Sequence, residues 1–263
     1  MIRMQIASAL SNITAQASFY DLSKSEDRAR SALQLRKLFL GLIRALQPEI
    51  LIEIGAYDAQ TSIDARSLIK NSRIAAFEAN PFNFETFKAN EQLKLCEVEY
   101  VNKAVSDYVG STTFRLQKEK GSGTVDAVSE RNSLLYRADE AISYEEVTVE
   151  CITVDAFLNE TNGNVALWID AEGASKQVLC GAQSTLERTS VVMIEVESFR
   201  YWRDQWMHFE VCKFLMTHNF VPVARDFEFR SQFNIVFIRD EVFEVPELIK
   251  ELEYYHGVLR RSV

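Results

Sequence analysis

Apolar positions near the start of the chain recur at the spacing of a helix. Leu33, Leu35, Leu38, Phe39, Leu42, Ile43 and Leu46 follow that spacing roughly, and Pro48 stops the run. Ser23, with Glu26 three residues on, reads as a capping box, and Ser25 is the alternative cap. The period then changes. Ile50–Ile54 is a short β-branched run ending at Gly55, and a helix-like stretch follows over residues 61–69. Residues 73–78 repeat the buried-strand pattern, and Asn80-Pro81 opens another helix with proline in its first turn. Residues 98–105 read as a third strand. Strand, helix and strand in alternation predict a parallel sheet with right-handed crossovers.

The middle of the chain breaks this rhythm. Residues 112–116 look extended, Gly121-Ser122-Gly123-Thr124 reads as a flexible loop, and residues 147–152 alternate again. An antiparallel insertion, or a loop over the site, is expected there. The alternation resumes with strands at residues 165–170 and 191–195 and helices at residues 175–186 and 209–217. Residues 220–224 and 234–238 predict an edge hairpin, and residues 247–255 a terminal helix. The predicted fold is α/β, doubly wound, with a mostly parallel seven-stranded sheet, an antiparallel edge hairpin and an N-terminal helical extension. The boundary is expected between residues 1–48, the extension, and residues 49–263, the main domain. The extension is expected to pack on that domain and to be a candidate lid for its cleft.

The 263 residues suffice for one large domain. Only 4 Pro and 9 Gly interrupt them, so no long linker is expected. The net charge of −9 disfavours a nucleic-acid partner, because a phosphate backbone is repelled by that average. Cys96, Cys151, Cys180 and Cys212 are scattered among apolar neighbours, the pattern of buried free thiols in a reducing compartment. No secretory signal and no apolar stretch of spanning length is visible, so a cytoplasmic protein without stable membrane insertion is expected. A homo-oligomer is left open.

The chemistry gathers at strand ends. In an open α/β sheet, ligands bind beyond the carboxyl ends of the strands, at the switch point. Glu53-Ile-Gly55-Ala56-Tyr57-Asp58 closes the first strand, and Gly55 would let the backbone approach a ligand. Alone, this is equally a plain strand-to-helix turn. The glycine string that cradles a pyrophosphate is missing, which favours a nucleoside without phosphates. Glu78 ends the second strand 25 residues after Glu53, one βαβ unit away. A carboxylate there can accept from both hydroxyls of a ribose. Asp170-Ala171-Glu172-Gly173 closes the fourth strand, and its two acids would share a side if the strand continued. One of them would otherwise cap the next helix. Glu195 and Glu197 alternate at the end of the fifth strand. His208 follows, where a helix-surface histidine is the commoner case. Carboxylates in such number suit a polar acceptor. A divalent cation is the less favoured reading, because no ligand spacing demands one, and the site is expected to be metal-free.

Together these motifs resemble the FkbM-type methyltransferases, a branch of class I S-adenosylmethionine-dependent enzymes. The resemblance runs from Ile50 to about Arg239. It rests on the run from Glu53 to Ser62, on Phe77-Glu-Ala-Asn-Pro81 with Asn90, and on Asn102-Lys-Ala-Val-Ser-Asp107. It continues through Val154-Asp-Ala-Phe-Leu158, Trp168-Ile-Asp-Ala-Glu-Gly-Ala174, Val178-Leu-Cys-Gly-Ala182 and Ile194-Glu-Val196. It implies a Rossmann-like fold and methyl transfer to a hydroxyl, often on sugars, glycans or natural products; the alternatives are an N-methyltransferase of a small molecule or protein, and a catalytically silent cofactor-binding module. It implies cofactor contacts from Glu53, Gly55, Ala56, Tyr57, Asp58, Ser62, Glu78, Ala79, Asn80, Val105 and Asp170. Asp170 and Glu172 would be catalytic, and Glu195, Glu197 and His208 would face the acceptor. Ala59 and Trp168 depart from the family's usual Gly and Lys.

Overall fold

The computed structural model describes residues 2–118 and 124–261. Seven strands form the central sheet in the order β3-β2-β1-β7-β8-β10-β9. They are β1 (Ile50–Ile54), β2 (Arg73–Phe77), β3 (Val98–Val101), β7 (Val165–Ile169), β8 (Thr189–Glu197), β9 (Phe220–Arg225) and β10 (Gln232–Arg239). The first five in that order run parallel, and β10 is reversed against β8 and β9. The sheet is therefore the doubly wound, mostly parallel one expected, with the predicted hairpin at one edge.

The central strands β1 and β7 read as largely apolar runs because both faces are covered. Ile50, Ile52 and Ile54, with Val165, Leu167 and Ile169, point into one core beneath α1 (Ile2–Ala15), α7 (Ser175–Cys180), α8 (Gln183–Leu186) and α9 (His208–Thr217). Leu51, Ala166 and Val191 point into the other. Leu35, Leu38, Phe39, Leu42 and Ile43 of α2 (Ser25–Leu46) and Leu248 and Leu259 of α10 (Pro246–Arg261) complete that second core, beside α3 (Gln60–Arg66). The α2 stripe thus lies in the same core as the sheet. Gln16, just past α1, donates to the carbonyl of Val223 at 3.0 Å and accepts from the N–H of Arg225 at 3.3 Å. It covers the free edge of β9, a place where an open strand invites pairing.

The structure corrects several local expectations. Neither Ser23 nor Ser25 caps α2. Lys24 holds the cap position without a side-chain bond, while the Ser23 hydroxyl donates to Asp21. Residues 98–105 are not one strand. After β3 the Asn102 amide donates to the carbonyl of Glu78, and β4 (Ala104–Val105) joins a second sheet. That sheet is the expected insertion. In it β5 (Gly110–Gln117) runs antiparallel to β6 (Tyr144–Ile152). Of the flexible-loop expectation, residues 121–123 lie outside the described residues. Residues 175–186 form two helices, because Gly181 sits against the carbonyl of Ser106 and Asp155 accepts from the N–H groups of Ser184 and Thr185. Asp155 belongs to α6 (Val154–Phe157). Asn80-Pro81 opens α4 (Pro81–Phe87) as predicted, with the Asn80 side chain accepting from Phe82 N–H, and α5 (Glu91–Leu95) follows. All four cysteines are free, but only Cys151 and Cys212 are buried. No described helix is long and apolar enough to cross a membrane.

Candidate active site

A cavity of about 670 Å³ opens at the carboxyl ends of β2, β1, β7 and β8, a size typical of small-molecule sites. The insertion roofs it with residues 129–134 and Arg137, and the β9–β10 turn walls it with Glu228 and Phe229. Among the described residues, none of the lining comes from residues 2–48, so the N-terminal helices are not the lid that the sequence suggested. Among the described residues, nine carboxylic side chains line it against three basic ones.

The first wall is the turn after β1. Gly55, Tyr57 and Ala59 all hold left-handed backbone, with φ of 77°, 49° and 58°. A Cβ on Gly55 would stand 1.7 Å from the carbonyl oxygen of Asp170. The neighbouring strand end therefore requires a glycine here, and Gly55 also lines the cavity. The turn is tied down from several sides. The N–H groups of Gly55 and Ala56 both donate to Phe77, and the Tyr100 hydroxyl donates to the carbonyl of Tyr57. Glu53 lines the cavity floor, yet its Oε2 is taken by the N–H of Ser62 at 2.9 Å and by the Ser62 hydroxyl at 2.5 Å. Burial pushes the Glu53 carboxyl up to about 7. Ser62 itself is fully buried and does not line the cavity.

Glu78 stands at the next strand end. Its Oε2 accepts from Tyr57 N–H at 2.8 Å and its Oε1 from Asn80 N–H at 2.6 Å. Those donors aim the carboxyl while leaving further lone pairs for a ligand. Burial raises it to about 7. Ala56, Ala79 and Val105 add small apolar lining, and Asp58 lines the cavity too. Asn80 does not, being engaged as a helix cap.

The opposite wall is acidic. Asp170 follows β7 directly. The strand does not persist to Glu172, which turns left-handed at φ 44°. The alternation expected of an extended strand is thus replaced by a tight turn, held by the Ser133 hydroxyl donating to the carbonyl of Glu172 at 2.7 Å. Even so, oxygens of Asp170, Glu172 and Glu195 lie within 4.8 Å of one another. Burial lifts all three: Asp170 to about 6, Glu172 to about 8, and Glu195 well above the usual carboxylate range. Like charges so close favour a shared proton or a bound cation. Arg137 is the cation beside them, 3.9 Å from Glu172 and stacked 3.6 Å over the Trp202 ring. Glu197 and His208 are not brought to the lining. Glu197 is buried two residues past Glu195 on β8, and His208 begins α9 beside the rings of Phe209 and Phe233. Trp168 lines the cavity and packs edge-on against Phe39.

Sequence reasoning missed Arg137, the roof residues and the β9–β10 wall. They come from segments without periodicity, and only a charged or aromatic residue in a turn marked them. Among the described residues, Phe229 is the one large apolar side chain of the lining that is left exposed, at 61%.

The fold and cleft define an α/β protein of the doubly wound class, with its cavity across the switch point between β1 and β7. A family model described as Methyltransferase FkbM domain matches residues 53–231, and the chain belongs to this family of methyltransferases. A comparison with curated proteins returned no match. Among solved structures, the chain is similar to precorrin-6y C5,15-methyltransferase from Geobacter metallireducens GS-15. Identity is 17% and the TM-score 0.40, over 77% of this chain and 86% of that one. It is similar to methyltransferase FkbM from Methylobacillus flagellatus KT at 8% identity and a TM-score of 0.42, over 72% of this chain and 44% of that one. A SAM dependent methyltransferase from Aquifex aeolicus is similar at 11% identity and a TM-score of 0.39, over 89% of this chain and 98% of that one.

Proposed function

We propose that the protein is an S-adenosylmethionine-dependent O-methyltransferase acting on a hydroxyl of a sugar, glycan or related natural product. The observation that carries this reading is the polarity of one cavity. A single aimed carboxyl, Glu78, lies on the β2 side, and a carboxylate cluster lies across the β1–β7 switch. The residues fit the cofactor's parts. Glu78 offers acceptors to a ribose diol, and Ala56, Ala79 and Val105 offer an apolar slot for a base. A lining dominated by carboxylates suits a sulfonium and repels a pyrophosphate, which weighs against dinucleotides.

The bound cofactor would supply a methyl group already activated for displacement. The chain must do the rest: align an acceptor oxygen with that methyl and take its proton. Asp170 and Glu172 stand where the acceptor oxygen would arrive. With pKa values raised toward neutrality, they are tuned to accept a proton rather than only to repel. Arg137 balances the charge on Glu172. The acceptor enters between the insertion and Phe229, whose exposed ring suits the apolar face of a sugar. On this reading the protein works in the cytoplasm, and its acidic character keeps nucleic acid away. The cofactor carrying a labelled methyl group, offered with panels of matched hydroxy and amino sugars, tests the acceptor class. Label in ether linkages supports the reading. Label confined to amines would move the activity to nitrogen.

A further inference from the structure

We propose that Asp170, Glu172 and Glu195 form a binding site for one hard divalent cation. The inference deepens the function proposed above and rests on it only for what the cation would do. The site itself rests on geometry. Oxygen-ligated ions of the calcium type hold their ligands at about 2.3–2.6 Å, so oxygens across such an ion stand about 4.6–5.2 Å apart. The three carboxylates each offer an oxygen within 4.8 Å of the others, which none of the three pairs exceeds. Their backbones are fixed independently. Asp170 N–H donates to Ile54, Glu172 is pinned by Ser133, and Glu195 lies within β8. The convergence is therefore built by the fold and does not depend on one flexible arm.

A second observation comes from Glu197, outside the trio. It is 1% exposed and lies two residues along β8, on the face that carries Glu195. It stands within electrostatic reach of all three carboxylates. Its Oε1 is sealed from solvent without a hydrogen-bond partner, and Gln205 Nε2 approaches its Oε2 at 3.4 Å. Glu172 Oε2 and Glu195 Oε1 are likewise sealed and without hydrogen-bond donors. Buried carboxylate oxygens are costly unless something positive meets them. Arg137 approaches one of them only, at 3.9 Å, and is held over Trp202. That leaves buried oxygens of Glu195 and Glu197 without a positive partner, and a small divalent ion at the trio would supply one. The spacing of residues 170, 172 and 195 hid this in the sequence, because two strands had to be brought side by side. A cation there would place positive charge beside an acceptor hydroxyl and lower its pKa, the usual service of a metal in such chemistry.

The test uses the full chain stripped with chelator, without cofactor or acceptor, and titrates Mn²⁺ by electron paramagnetic resonance. One bound Mn²⁺ per chain is expected. Asp170→Asn and Glu195→Gln should each weaken it at least tenfold, and Glu228→Gln, a lining change outside the trio, should not. Thermal melts give a second readout. Mn²⁺ should raise the melting temperature of the wild type but not of Glu195→Gln, which should melt higher than the wild type without metal because a repulsion is gone. No binding of Mn²⁺, Mg²⁺ or Ca²⁺ by the wild type would overturn the proposal and assign the cluster to shared protons. Binding that survives both substitutions would overturn it as well. Since no cofactor is present, either result stands apart from the fate of the methyltransferase reading.

Discussion

Glu78 carries the most weight of any single residue in this account. Its two backbone donors aim it, and burial lifts it to about 7, so its charge depends on pH near neutrality. An ionised carboxylate is the stronger acceptor for a ribose hydroxyl. Affinity for S-adenosyl compounds should therefore rise between pH 6 and 8 in the wild type. Glu78→Gln should lower affinity by about 1.5–3 kcal/mol at the upper end and flatten the pH response. Calorimetry on a variant shown folded by circular dichroism checks both, and a wild-type affinity flat across this range would remove Glu78 from the site. Glu53 behaves differently, because Ser62 occupies it. Its folded pKa, about 7, lies above the ordinary 4.5. The stability this adds is full below pH 4.5, declines as pH rises, and is gone past about pH 7. The difference corresponds to about 3 kcal/mol. Glu53→Gln keeps an acceptor for Ser62 and should remove that share of the pH dependence in urea unfolding. Equal slopes in wild type and variant would show that Glu53 titrates normally.

At the scale of elements, the strand ends do the positioning. Gly55 holds φ 77° against the Asp170 carbonyl. Gly55→Ala should destabilise by more than the roughly 1–2 kcal/mol a left-handed alanine costs, since the overlap adds to it. Thermal melting reads this directly, and a variant as stable as the wild type would contradict the packing of β1 against β7. Ala59 is the instructive contrast. It tolerates φ 58° while filling a buried place. Strain relief on Ala59→Gly, about 1–2 kcal/mol, roughly cancels the lost methyl burial and added chain freedom. A change within about 1 kcal/mol is expected. Much of this layer was legible in the sequence. The strands announced themselves because both faces are buried, and Glu78 and Asp170 could be placed because strand ends are where β-branched runs stop. The breaks were not legible. Asn102 leaves the strand to meet a carbonyl 24 residues back, and Gly181 yields to Ser106 across the fold. The left-handed turn at Glu172 depends on Ser133 in the insertion. Each is decided by a partner distant in sequence.

On the scale of the whole molecule, the sheet order sorts one cavity into two halves. The β2 and β1 ends serve the cofactor in the proposed reading, and the β7, β8 and β9–β10 ends serve the acceptor. Phe229, on the second half, tests the division. Phe229→Ala should raise the acceptor KM several-fold and leave cofactor affinity unchanged, and the reverse pattern would invert the assignment. The N-terminal helices serve a different end: α2 completes the core and Gln16 covers β9, so the cleft is closed by the insertion instead. On the proposed reading, the excess of carboxylates over bases in that cleft favours a sulfonium and disfavours a pyrophosphate, the central claim about the cofactor. Calorimetric titration of the purified chain with S-adenosylmethionine, its demethylated product and a nicotinamide dinucleotide tests it most directly. Micromolar-scale binding of the two S-adenosyl compounds is expected, with little or none of the dinucleotide. Tight dinucleotide binding, with no heat from either S-adenosyl compound, would contradict it.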